Sequence, residues 1–290
     1  MEFVMTVGLP ASGKSTWAKE QIDKGYDWIS SDEIRKEHDY QIENNEVFAE
    51  MEEHVFTSLA AGHNVVYDAT NLSHKRRKFI VDKVKYYNPT VYLRCEVFIA
   101  PLDVLRKRNS HRTAAECVPD EVFEKFIRGF QFPQYFEGWD EINVNELSVF
   151  DKLDMLQFYG FDQKNPFHTA DLGTHLLNAR QYCEEHEFSH IVQDAAWFHD
   201  IGKFYTQTFG PDGIAHYYGH ENVGAYYFAL CCWNSGIWTK EEKLMLLFLI
   251  NYHMRPYHWT AAAYKRDYKL FGARNIYWLK QLHQADIKAH

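Results

Sequence analysis

The chain has 290 residues, room for two domains of about 100–200 residues each. Its 31 Lys/Arg against 40 Asp/Glu leave a net charge of −9, which argues against a surface that coats nucleic acid non-specifically. Ordinary apolar and charged fractions make a globular protein the default, and the longest aliphatic–aromatic run, Leu244–Ile250, is far short of the ~20 residues of a membrane span.

In chain order, the apolar run Phe3–Val7 reads as a buried parallel strand. It leads into Gly8-Leu-Pro-Ala-Ser12-Gly13-Lys14-Ser15-Thr16, a full P-loop match, and Lys14–Glu20 then opens a helix. In that context the loop amides of Gly8 and Ser12–Thr16 can cradle phosphate oxygens, Lys14 can neutralise them, and Ser15 suits Mg²⁺. Further strands are expected at Val65–Tyr67 and Val91–Ile99, with helices at Asn45–Ala61 and His74–Tyr87. This alternation predicts a parallel sheet flanked by helices, with ligands held beyond the carboxyl ends of its strands. Ser30–Arg35, Asp68–Asn71 and the stretch after Ile99 fall at those ends, so Asp32 and Asp68 are expected to face the P-loop. Asp32 can equally serve as the N-cap of the helix that follows it. Residues 1–150 balance to −7 yet hold two basic clusters, Lys75–Lys78 and Arg106–Arg112. These are either solvated helix faces or a polyanion-binding surface.

Roughly residues 1–140 resemble the phage-type 5′-polynucleotide kinase family. The resemblance is carried by GLPASGKSTWAKE, by Asp32-x-x-Arg35, by Asp68-Ala-Thr-Asn71-Leu-Ser-His-Lys-Arg-Arg, and by Val104-Leu-Arg-Lys-Arg108-Asn-Ser-His-Arg112. It implies an ATP- and Mg²⁺-dependent kinase in which Asp32 is the general base for a 5′-hydroxyl. Arg35, with Asp68 and Asn71, would contact the acceptor, and Arg108 and Arg112 would close a lid over the phosphates. The alternative role for Asp68 is to hold Mg²⁺ indirectly. Arg108 and Arg112, four residues apart, are expected on one helical face.

Glu141–Val144 reads as a closing strand, and a soft boundary is placed near 149, giving domains 1–149 and 150–290. Beyond it, helices are expected over Ala170–His186, His190–His199, His220–Ser235, Lys240–His253 and Tyr264–Lys288, an all-α domain. Histidines concentrate in this half with no cysteine at matching intervals, which disfavours a structural zinc site. His199 and Asp200 end a hydrophobic helix, and adjacent residues diverging by about 100° can bracket one metal.

This half resembles the HD phosphohydrolase superfamily through Asn165-Pro-Phe-His168…His175, Phe198-His199-Asp200-Ile-Gly202-Lys203, His216-Tyr-Tyr-Gly-His220-Glu-Asn-Val-Gly224-Ala, Tyr252-His253 and Ala285-Asp286. The resemblance implies that His175, His199, Asp200 and Asp286 hold a first metal, and that His220 and His253 add a second bridged by Asp200. Lys203 would pair with the substrate phosphate. His168 and His216 stand open between substrate contact and support of the ligands.

Together the two halves look like bacterial and phage fusions that heal broken RNA ends. The expected reactions are ATP-dependent 5′-OH phosphorylation and metal-dependent hydrolysis of a 2′,3′-cyclic phosphate or terminal 2′/3′-phosphate. The hydrolase metals would be one or two divalent ions such as Mn, Ni, Co, Fe or Zn. Partners would be RNA or DNA ends and a downstream RNA ligase. A small-molecule or nucleoside kinase joined to a nucleotidase is the rival enzyme, and a nucleotide switch joined to a metal sensor is the non-enzymatic one. Five cysteines with no C-x-x-C pairing, and no basic leader before the P-loop, point to the cytoplasm.

Overall fold

The computed structural model describes residues 1–146, 153–166 and 169–289. The chain forms two compact units, Met1–Phe126 with Pro133–Val149, and Ile127–Phe132 with Phe150–His290. The boundary expected near 149 falls outside the described residues. The segment 127–132 belongs to the second unit, although it lies within the first half of the sequence.

The first unit runs β1 (Glu2–Gly8), α1 (Lys14–Glu20), β2 (Tyr26–Ser30), α2 (Ser31–Glu37), α3 (Asn44–Ala60), β3 (Asn64–Asp68), α4 (His74–Tyr87), β4 (Tyr92–Ile99), α5 (Leu102–Ser110), α6 (Asp120–Arg128) and β5 (Glu141–Glu146). The strands are all parallel in the order β2-β3-β1-β4-β5. Phe3, Val4, Met5 and Val7 are fully buried, as expected for a central strand covered on both faces. Chain order reverses at β1, with β3 on one side and β4 on the other. The crevice beyond the carboxyl ends of β1, β2 and β3 is therefore the topological binding position. β2 carries no apolar run; its half-buried Tyr-Asp-Trp is recruited by pairing with β3, Trp28 opposite Val66 and Ile29 opposite Tyr67.

The first basic cluster is not a free surface. Arg77 is fully buried on α4 and donates two hydrogen bonds to Glu137, at 2.7 and 2.6 Å, and one to the Asn71 carbonyl at 2.9 Å. The Arg76 guanidinium lies 3.5 Å over the Phe48 ring, and Lys78 pairs with Asp82. In the second cluster, Arg106 pairs with Glu124. Four of the eight cations, Arg77, Lys78, Arg106 and Arg112, are in ion pairs within the unit, while Lys75, Lys107 and Arg108 are exposed.

The second unit holds α7 (Leu172–Glu185), α8 (His190–Phe198), the single turn α9 (Lys203–Thr206), a hairpin of β6 (Thr208–Phe209) and β7 (Ala215–His216), α10 (His220–Cys232), α11 (Lys240–Tyr252), α12 (Ala261–Phe271) and α13 (Ala273–Lys288). It is helical apart from that hairpin among the described residues. Leu172, Leu176, Ala179 and Cys183 form the buried stripe of α7, which packs on α8 and α13. α11 is apolar almost all round, and Leu244 and Leu246–Ile250 are all buried at the centre of the unit. The single helix expected over Tyr264–Lys288 is instead two. Gly272, at φ 82° and ψ 164°, breaks it, and the first of the two starts earlier, at Ala261, where Thr260 caps α12 by accepting from the Ala263 amide at 3.2 Å. Segment 127–132 is pinned into this unit by Phe130, edge-on to Tyr226, and by Phe132, stacked on Trp233.

Among the described residues, no helix is long and apolar enough to cross a membrane. All five cysteines are free thiols.

Candidate functional site

In the first unit a cavity of about 300 Å³ opens at the carboxyl ends of the strands, lined among others by Lys14, Ser15, Asp32, Arg35, Asp68 and Arg112. The loop between β1 and α1 turns through positive φ at Ala11 (62°) and Gly13 (96°). Gly8 packs so tightly on β4 that an added Cβ would stand 2.6 Å from the Phe98 carbonyl oxygen. Lys14 is buried, and its Nζ donates to the Leu9 carbonyl (2.8 Å) and Ser12 Oγ (3.4 Å). Burial lowers the Lys14 ammonium to about 8, against the opposing pull of Asp68 and Asp32. Thr16, by contrast, is exposed and does not line the cavity.

Ser30, rather than Asp32, caps α2: its Oγ accepts from the amides of Asp32 (3.3 Å) and Glu33 (3.4 Å). Asp32 is thereby free of capping duty. Its two oxygens accept instead from Arg35 (3.3 Å) and Arg112 (3.2 Å), with the side chain 46% exposed to the cavity. Asp68 accepts from Thr6 Oγ1 (2.9 Å) and Trp28 Nε1 (3.2 Å). Asn71 lies outside the cavity lining. It is buried at φ 48° and donates to the Thr6 carbonyl at 2.8 Å, tying β3 to β1 beneath the loop.

Arg108 and Arg112 do not share a helical face. α5 ends at Ser110, and Arg112 sits in the turn beyond it. The cause is Asn109, whose side chain bonds the amide (3.1 Å) and carbonyl (2.7 Å) of Val118 and folds the intervening loop back. That loop delivers Arg112 to Asp32 and leaves Arg108 exposed, outside the cavity.

The second unit brings all six candidate ligands into two adjoining sets that share Asp200. His175, His199, Asp200 and Asp286 form one, and Asp200, His220 and His253 the other, with the ligand atoms of each set within 4.8 Å of one another. Asp200 Oδ2 faces His175 Nε2 (3.3 Å) and His199 Nε2 (3.5 Å), while its Oδ1 faces His220 Nε2 (3.1 Å) and His253 Nε2 (3.3 Å). Asp286 Oδ1 lies 3.3 and 3.4 Å from the nitrogens of the first pair. All six residues are buried.

Helix ends aim these rings. His199 and His253 cap the C-termini of α8 and α11, where carbonyls lack helical partners. Their Nδ1–H groups donate back to Ala196 and Ile250, and His220 does the same to Tyr217, each at 2.8 Å. With the proton on Nδ1, each Nε2 presents a lone pair inward. His220 and His253 then oppose lone pairs at 3.1 Å, an arrangement that repels unless a cation sits between them. Two ligands each about 2.1 Å from one ion lie about 3.0–3.4 Å apart, close to the spacings found here. The donor set fits divalent metals.

Burial alone would push the Asp200 carboxyl up, but Lys203 and the surrounding imidazoles hold it well below the usual carboxylate range. Lys203 Nζ lies 2.5 Å from Asp200 Oδ2 and 3.2 Å from Gln163 Oε1. His216, on β7, is half-buried and stacked parallel to Tyr218, and it joins neither ligand set. His168 lies outside the described residues.

Four residues in this site carry no sequence signal of their own. The Tyr257 hydroxyl donates to Asp286 Oδ2 at 2.8 Å, and Gln163 holds Lys203. Asn222 and Asn251, each two residues from a ligand histidine, bond each other at 3.0 Å. They also bind the backbone of segment 127–132: Asn222 donates to the Arg128 carbonyl, and Asn251 Oδ1 accepts from the Phe132 amide. Only the mirrored spacing, Asn222 after His220 and Asn251 before His253, could have flagged them.

Comparison with known proteins bears mainly on the first unit. Residues 3–133, a little under half the chain, match the family model described as AAA domain. The bifunctional polynucleotide phosphatase/kinase of Schizosaccharomyces pombe is 29% identical over 150 residues, 50% of this chain and 33% of that protein. The chain thus spans about a third of that relative's length. A kinase-type protein from Chloroflexus aurantiacus superposes with a TM-score of 0.43 at 16% identity, covering 54% of this chain and 90% of that one. A gluconokinase from Sinorhizobium meliloti gives 0.36 at 20%, covering 49% and 81%. The first unit is a kinase-like P-loop nucleotide-binding domain, with ATP and Mg²⁺ as the ligands that its loop implies.

Proposed function

We propose that the chain heals polynucleotide ends. Its first unit phosphorylates a 5′-hydroxyl from ATP, and its second hydrolyses a 2′,3′-cyclic phosphate or terminal 2′/3′-phosphate of RNA. The observation that carries this reading is the placement of Asp200, one oxygen toward each of two imidazole pairs. The fission-yeast relative, a bifunctional polynucleotide phosphatase/kinase, supports the pairing of activities.

In the first unit Asp32 is the base that accepts the 5′-hydroxyl proton, steadied by Arg35 and Arg112 on its two oxygens. Lys14 neutralises the phosphates, and Ser15 serves Mg²⁺. In the second, His175, His199, Asp200 and Asp286 would hold one divalent ion, and Asp200, His220 and His253 another. Metals such as Mn, Ni, Co, Fe or Zn suit this imidazole–carboxylate set, and when bound they supply an activated water and charge neutralisation at phosphorus. Lys203 neutralises Asp200 and stands ready for the substrate phosphate. One water opens the cyclic phosphate to a 2′- or 3′-monophosphate, and a second releases inorganic phosphate to leave the 2′,3′-diol; that 3′-hydroxyl and the 5′-phosphate are the ends an RNA ligase joins.

One observation favours a narrower acceptor for the kinase. Half of the cations in Lys75–Lys78 and Arg106–Arg112 are in ion pairs within the unit, so the two clusters argue less for a polyanion than their sequence suggests. Phosphorylation of a mononucleoside as fast as of an oligonucleotide would establish a nucleoside kinase instead.

The test is an RNA bearing 5′-OH and 2′,3′-cyclic phosphate ends, supplied with ATP, Mg²⁺ and each transition metal in turn. Asp32→Ala is expected to lose 5′-phosphorylation by about 10²–10⁴-fold while keeping end hydrolysis. Asp200→Ala should do the reverse. If each variant keeps both activities, the assignment fails.

A further inference from the structure

Charge in the second half of the chain is unevenly placed. Residues 255–280 hold six Lys/Arg (Arg255, Lys265, Arg266, Lys269, Arg274 and Lys280) against one acid, Asp267. The rest of residues 151–290 holds 7 Lys/Arg against 14 Asp/Glu. The single acid is buried and already taken, accepting from Trp259 at 3.0 Å with Arg255 and Arg266 beside it. Lys265, Arg266 and Lys269 are exposed on α12.

Aromatic rings run through the same stretch. Trp259 meets Tyr264 edge-on at 5.2 Å, Tyr264 neighbours Tyr268 at 6.0 Å, and Lys280 Nζ lies 4.4 Å over the Tyr264 ring. Tyr257, Tyr268 and Tyr277 are exposed by 43%, 46% and 59%. Tyr257 also reaches inward, since its hydroxyl binds the ligand carboxylate of Asp286. A partly exposed side chain therefore joins this surface to the metal pocket.

Cations track a phosphate backbone, and aromatic faces stack unpaired bases without regard to sequence. A folded acidic protein would match the charge but leave the rings without a stacking partner. We infer that α12 and its flanks, residues 255–280, are the docking surface that holds single-stranded RNA and leads its 3′ end past Tyr257 to the metal pocket. The inference rests on the RNA-end hydrolase reading above and names how that site gathers its substrate.

The experiment is fluorescence anisotropy on the full chain with a single-stranded RNA 12-mer, its 5′ end blocked by the label and its 3′ end a plain hydroxyl. Lys265→Gln/Lys269→Gln is expected to weaken binding about tenfold and to flatten the slope of log Kd against log salt by about 1.4, the share of two phosphate contacts on a single strand. Tyr268→Ala should weaken binding about fivefold with the slope unchanged, because stacking releases no counterions. Thermal melts of both variants, altered only at exposed positions, verify folding. Wild-type affinity and slope in both variants would overturn the inference. So would polyglutamate of similar length binding as tightly as RNA, or DNA of the same sequence binding more tightly. If these residues bind RNA but no metal supports hydrolysis of any RNA 3′ end, the hydrolase reading falls and the surface stands. If RNA ends are hydrolysed with KM unchanged in both variants, the surface falls and the hydrolase stands.

Discussion

His199, His220 and His253 share one device at the scale of a single side chain. Each spends its Nδ1–H on a carbonyl three residues earlier, so its Nε2 can only be an acceptor or a ligand. Gly202 is the complementary feature: an added methyl would stand 1.9 Å from the His220 carbonyl oxygen and 2.6 Å from the Gly224 amide nitrogen. Backbone cannot give way there as a flexible side chain can. Gly202→Ala is therefore expected to lower stability by about 1–3 kcal/mol and to displace His220. Metal per chain, measured by plasma mass spectrometry after loading, should fall by about one ion relative to wild type; an unchanged ion count would show that the close approach does not set the second half-site. The resemblance to the HD phosphohydrolases singled out the six candidate ligands, which the fold brings together. Which way each ring turned was not legible, because the carbonyl that aims it is set where a helix ends, for His199 and His253, or in the turn before one starts, for His220. Arg77 shows the opposite failure, since nothing local distinguishes a buried arginine from its exposed neighbours.

Among elements, the buried Arg77–Glu137 pair decides how α4 meets the turn at 135–137. The Glu137 carboxylate accepts from Arg77 twice, from Trp139 Nε1 and from the Gln134 amide, so its capacity is filled. Removing one partner strands the other charge in a dry interior. Glu137→Gln should cost about 3–5 kcal/mol in urea unfolding, whereas Arg77→Met with Glu137→Leu should recover only part of that loss, because Trp139 Nε1, the Gln134 amide and the Asn71 carbonyl lose their partners. A single variant as stable as wild type would mean that water reaches the pair. Strands β1, β3 and β4 could be read directly because apolar runs announce central positions. β2 could not, since an edge strand of mixed polarity is fixed by pairing with β3. The α12–α13 break escaped periodicity because Gly272 interrupts the backbone without interrupting the apolar spacing around it.

For the molecule as a whole, the two units present different ligand chemistries. The first offers a phosphate cradle with a buried lysine, and the second a pocket of imidazoles and carboxylates. A ligand that binds only the folded state stabilises it by about 2.7 kcal/mol at a hundredfold excess over Kd. ATP with Mg²⁺ should therefore raise one calorimetric transition, and a chelator should lower another in metal-loaded protein. Melting that responds to neither addition would count against both pockets.

The P-loop, the alternating strands and helices of the first half, and the types and order of the six candidate ligands are all local properties. Glycine placement, apolar period and side-chain chemistry depend on near neighbours in the chain, so the sequence by itself determined them. Only the tertiary structure decided that Asp200 faces both imidazole pairs, that Arg112 rather than Arg108 reaches Asp32, and that segment 127–132 braces Asn222 and Asn251. Each depends on contacts between residues dozens of positions apart, whose geometry exists only once the helices and strands have packed.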